Sequence, residues 1–104
     1  MKNNDLTIEQ IVLVTRKLVK KQGWDKSGSS KPQTARNLAI SISLEASELL
    51  KCFQWSDEAS IDEVADEIAD IFIFSSYLAF ILGIDLQLAI EKKMKENSGR
   101  IWEE

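Results

Sequence analysis

Residues 60–82 read SIDEVADEIADIFIFSSYLAFIL, and the fold turns on what this stretch becomes. Ser60 and Glu63 have the spacing of a capping box, which marks a helix start. Acidic turns follow, then apolar residues with no period-two alternation, and Gly83 closes the stretch. The apolar run at 71–84 is too short to cross a bilayer, which takes about 20 residues. A core helix is therefore expected, starting at the SIDE segment and ending at Leu82. Ile71, Phe72, Ile73, Phe74, Tyr77, Leu78 and Phe80 lie on nearly every side of it. A helix apolar all round must be covered all round.

The flanking segments are helical too. Towards the N-terminus, TIEQ at 7–10 reads as a second capping box, opening a helix that ends near Gly23. Ile8, Ile11, Val12, Val14, Leu18 and Val19 make its apolar stripe. DKSGSSKPQT at 25–34 is a polar loop, followed by a helix from about Thr34 to Phe53. A last helix starts at Asp85 as N-cap and is expected to turn Leu86, Leu88, Ala89, Ile90 and Met94 to the core. The fold class is all-α, a bundle-like set of four helices. The 104 residues make one domain, 1–104, with a modest core. With so shallow a core, the exposed apolar surface calls for a homodimer or a dimer of dimers.

Composition narrows the function. The chain is 44% hydrophobic and 29% charged, with 13 basic and 17 acidic residues and a net charge of −4. That balance fits a folded soluble domain and argues against duplex DNA as partner. The single cysteine, Cys52, reads as a small buried thiol in a reducing compartment. No histidine is present, which excludes Ser-His and Cys-His nucleophiles and any His-ligated metal within one chain. The start MKNNDLTIEQ lacks the apolar centre of a signal peptide, and a cytoplasmic location is expected.

Two acid pairs carry the chemistry. At about 100° per residue, Asn37, Ser41, Glu45 and Glu48 fall within about 80° of one another on the second helix. Glu63, Glu67 and Asp70 share a similar arc on the third, and Phe74 and Tyr77 continue that face. Glu45 and Glu48 are the only charged residues from Leu38 to Leu50. If the two faces meet, four carboxylates converge, and such crowding takes up protons or recruits a counter-ion. Oxygen ligands select a hard divalent cation, Mg²⁺ or Mn²⁺. A solvated acidic stripe is the competing reading, and it is the one adopted for Asp57, Glu58, Asp62 and Asp66. On the last helix Lys93, Asn97 and Arg100 fall on one face if the helix persists past Gly99, and such a face suits phosphate oxygens.

These residues together resemble the MazG-like, all-α nucleoside triphosphate pyrophosphohydrolases, and within them the short members of the dCTP pyrophosphatase type. The family's two acidic motifs correspond to EASE at 45–48 and EIAD at 67–70. CFQW at 52–55, Arg36-Asn37 at the opening of the second helix, Trp24 before the loop, and Lys93, Asn97 and Arg100 complete the set. The likeness runs from about Trp24 to Arg100.

The resemblance implies that Glu45, Glu48, Glu67 and Asp70 bind Mg²⁺ and that a nucleoside triphosphate is cut to monophosphate and pyrophosphate. Alternatively, Glu48 would orient or deprotonate the attacking water instead of ligating the metal. Lys93 and Arg100 would hold the phosphates, with Asn97 near the sugar or base, and Trp24 and Trp55 would line the nucleotide pocket. For each tryptophan the alternative is an aromatic plug at a helix end; Trp102 is read as packing. It further implies a homo-oligomer with sites completed between subunits, and a role in nucleotide-pool housecleaning. Two departures matter. Leu44 stands where many members have a further acid, and the dCTP-specific members' base-facing histidine is missing near Thr15, which leaves the base open. The 25–34 loop, with Lys31, is read either as a lid or as a connector. Competing functions are a non-catalytic helical nucleotide-sensing or interaction module, and an all-α dUTPase-like hydrolase.

Overall fold

The computed structural model of the chain describes residues 6–23 and 33–99. They form four helices, α1 (Ile8–Gln22), α2 (Ala35–Lys51), α3 (Ile61–Ile81) and α4 (Leu86–Ser98), and the fold is all-α as expected. Each start is capped by the residue the sequence offers. Thr7 Oγ1 accepts from the Gln10 N–H at 3.1 Å, while Gln10 Oε1 accepts from the Thr7 N–H at 2.8 Å, a complete capping box. Thr34, Ser60 and Asp85 cap the other three by accepting from Asn37, Glu63 and Leu88 N–H. Gly23 ends α1 and Gly83 follows α3, both with positive φ of 73° and 71°, the left-handed conformation glycine adopts without strain.

The core lies where three helices meet. Leu38 of α2, only 1% exposed, packs with Val19 of α1 and Tyr77 of α3, and Phe74 and Leu78 close over them. α2 runs against α3 along much of its length and α1 rests on α3. The apolar stripe of α1 is only partly used, since Val12 and Val19 are buried and Val14 and Leu18 stay exposed.

α4 corrects the expectation made for it. Its axis departs from that of α3 by 109°, and it touches α3 only sparsely. Leu88 and Met94, expected in the core, are 60% and 64% exposed, because a helix turned away at Gly83 finds little to lie on among the described residues. The radius of gyration is 16.3 Å, whereas a compact domain of this length has about 13 Å. No single helix among the described residues is long and apolar enough to cross a membrane.

Candidate metal centre

Helical spacing and the α2–α3 contact together bring three carboxylates to one point. Glu45 projects from the middle of α2, and Glu67 and Asp70 project from one turn of α3. One oxygen from each lies within 4.8 Å of the others, and all three residues are half-buried. The trio sits on the acidic part of the α3 face, which a turn further along becomes Phe74 and Tyr77 of the core. The core contacts that lock α2 on α3 thus also fix the distance between the acids.

The local electrostatics are unfavourable without a cation. Glu45 Oε2 and Glu67 Oε1 are buried and have no hydrogen-bond partner among the described residues. Glu45 is pushed above the ordinary carboxylate value of 4.5, first by burial, then by a proton it would share with Glu67, then by the charges of Asp70 and Glu67. Oxygens orphaned in this way fit a hard divalent cation, which accepts carboxylate ligands and supplies the missing charge.

Not every sequence-predicted acid joins them. Glu48 is exposed, and its Oε2 accepts from Lys51 Nζ at 3.0 Å, so three of the four expected carboxylates converge and the fourth pairs with a lysine. Glu63 is exposed at the start of α3. Cys52 is half-buried, and its Sγ donates to the Glu48 carbonyl at 3.5 Å. Burial, followed by the charges of Glu63 and Glu67, raises its thiol above 9.0, which keeps it a neutral packing group.

The predicted substrate-binding residues are more dispersed. Trp55, in the turn after α2, is 89% exposed, so it is no aromatic plug and its faces are free to stack. Arg36 is exposed and Asn37 half-buried in the first turn of α2. Lys93 and Asn97 lie exposed on α4, with Lys93 Nζ 3.7 Å from Glu96 Oε1. The helix ends at Ser98 with Gly99 as its cap, so the described residues do not extend the Lys93–Asn97 face to Arg100. Trp24, Lys31, Arg100 and Trp102 lie outside the described residues. Thr15 Oγ1 donates to the Ile11 carbonyl at 2.9 Å.

A groove of about 520 Å³ runs between α1 and the α3–α4 corner, with Val12, Arg16, Ser76, Phe80 and Leu86 among its lining. Arg16 lays its guanidinium over the Phe80 ring at 4.2 Å. No sequence spacing links the two residues, because helix packing alone brings them together.

The MazG-like family matches residues 40–104, the segment that carries all three acids. Among solved structures the chain is similar to a pyrophosphatase from Archaeoglobus fulgidus DSM 4304. The two are 31% identical over 93% of this chain and 94% of that one, with a TM-score of 0.70. No curated protein matches the sequence at a significant level.

Proposed function

The chain belongs to the MazG-like family, and from that premise we propose that it is a divalent-metal-dependent nucleoside triphosphate pyrophosphohydrolase. The observation that carries this reading is the pair of orphaned oxygens on Glu45 and Glu67, beside Asp70. A solvated acidic stripe would leave its oxygens in water. The similar archaeal structure is itself a pyrophosphatase.

Glu45, Glu67 and Asp70 are the residues that would hold Mg²⁺, with Mn²⁺ as a substitute. Such an ion neutralises charge on phosphoryl oxygens and lowers the pKa of a bound water. Glu48, one turn beyond Glu45, is assigned as the further metal ligand or as the base that orients the attacking water and accepts its proton. The bond cut is the one between the α- and β-phosphates, which yields the monophosphate and pyrophosphate. Lys93 and Arg100 donate to the phosphate oxygens, and Asn97, Arg36 and Asn37 complete the substrate contacts. Trp24 and Trp55 stack the base, whose identity stays open. Housecleaning of the cytoplasmic nucleotide pool is the role that fits this chemistry.

The active unit is a homodimer or a dimer of dimers. The chain exposes 8543 Å², whereas a compact monomer of its mass exposes about 5,900 Å². The excess is of the order that obligate subunit interfaces cover. Exposed Leu44, Leu50, Phe72, Leu88 and Met94 supply the apolar part of it. Incubation with a panel of nucleoside triphosphates and Mg²⁺, read out as pyrophosphate release, tests the reading, and turnover of none would favour a nucleotide-sensing module.

A further inference from the structure

Three carboxylates converge between α2 and α3, yet the acid one turn beyond Glu45 is drawn elsewhere. Glu48 Oε2 lies 3.0 Å from Lys51 Nζ, with the two side chains 48% and 65% exposed. The direction of this contact follows from helix geometry. Side chains lean towards the helix N-terminus, so the last residue of α2 reaches back over the residue three before it. The lysine charge also complements the carbonyl end of the helix, which holds Lys51 there irrespective of Glu48. A fourth carboxylate entering the trio without a cation would meet three like charges, whereas the ammonium offers it the opposite one. Because the pair is exposed, it is weak enough to exchange when a doubly charged ion competes for the same carboxylate.

We propose that Lys51 is a positioning residue that holds the Glu48 carboxylate outside the Glu45–Glu67–Asp70 trio and so sets the trio's affinity for a divalent cation. The inference rests on the metal-site reading above and adds to it a residue that regulates loading. A bound cation would compete with Lys51 for the Glu48 carboxylate, so the four-carboxylate arrangement would be favoured by the cation and disfavoured without it.

Mn²⁺ titration followed by the electron paramagnetic resonance of the free ion, without nucleotide, tests this. Four chains are compared with the unaltered one: Lys51→Ala, Lys51→Arg, Glu48→Gln and the Glu48→Gln/Lys51→Ala double variant. Lys51→Ala should bind Mn²⁺ about twofold to fivefold more tightly, the range an exposed ion pair commands. Lys51→Arg, which keeps the pair, should bind as the unaltered chain does. In the Glu48→Gln background the change from Lys51→Ala should vanish, because Lys51 then has no carboxylate to hold. Equal tightening in both backgrounds would mean that Lys51 acts only as a nearby charge, and it would overturn the proposal, as would no change at all. Failure of the unaltered chain to bind Mn²⁺ would instead overturn the metal-site reading, and this inference with it.

Discussion

Glu45 on α2 and Glu67 on α3 each bury one carboxylate oxygen, and neither oxygen has a donor among the described residues. Two helices held together by an apolar core thus press like charges together at one point along their seam. Such an arrangement destabilises the metal-free protein, and a cation relieves it. Mg²⁺ should therefore raise the melting temperature. At about 100-fold its Kd the gain is about 2.7 kcal/mol, or roughly 10 °C or more for a domain of this size. Glu45→Gln should abolish the Mg²⁺-dependent part, as measured by thermal melts with and without the ion.

The sign of the pH dependence follows from Glu45. Its folded value lies above the ordinary 4.5, so from 4.5 up to that raised value the folded state binds more protons than the unfolded state. Its contribution is fully present below 4.5 and is lost as pH rises through the folded value. Melting curves of the metal-free chain should thus lose ground against those of Glu45→Gln as pH rises from 4.5. Divalent binding should run the other way and strengthen with pH, because the ion must displace the Glu45 proton. Titration calorimetry at several pH values checks this.

Activity should depend on the trio and not on acidity in general. Glu45→Gln and Asp70→Asn should each lower turnover by about 10²-fold or more, the several kcal/mol that metal-stabilised charge supplies. Helical circular dichroism should be unchanged. Asp62→Asn and Asp66→Asn, which alter exposed acids of the same helix, should leave turnover nearly intact.

Leu38 is the packing counterpart of these residues, buried between Val19 and Tyr77. Leu38→Ala should cost about 2–5 kcal/mol of stability, and the seam that spaces the acids should loosen with it. Chemical denaturation measures the loss, and Mn²⁺ affinity should fall alongside.

Light scattering at micromolar concentration should report a dimer or tetramer. Phe72→Lys, which places a charge on the exposed apolar part of α3, should shift that equilibrium towards monomer. A stable monomer of the unaltered chain would contradict the oligomer proposal.

Much of this was legible in the sequence, for physical reasons that also mark where legibility ends. Caps and glycines act within a few residues, so Thr7, Thr34, Ser60 and Asp85 placed the four helix starts, and Gly23 and Gly83 the ends of α1 and α3, whereas α2, expected to reach Phe53 with no such signal at its end, stops at Lys51. The i, i+3 spacing put each acid pair on one face, but Glu45 and Glu48 differ by about 60° around the helix. Which of the two enters the α2–α3 seam depends on how the helices roll against each other, and only packing decides that. The i, i+3 spacing of Glu48 and Lys51 is visible in the sequence, but spacing alone does not say whether Glu48 turns to Lys51 or to the seam. The direction of α4 could not be read, because an apolar pattern says that a face needs cover and not which chain provides it.

If the acids at the α2–α3 seam serve the cutting of a nucleoside triphosphate between its α- and β-phosphates, the products identify the bond that is cut. The most direct measurement is product analysis by phosphorus NMR, with Mg²⁺ and a panel of nucleoside triphosphates, for the unaltered chain and Asp70→Asn. A nucleoside monophosphate and pyrophosphate in equal amounts are expected for at least one triphosphate, only with the metal, and strongly reduced in Asp70→Asn. Release of orthophosphate and a diphosphate, or turnover unaffected by Asp70→Asn, would contradict this reading.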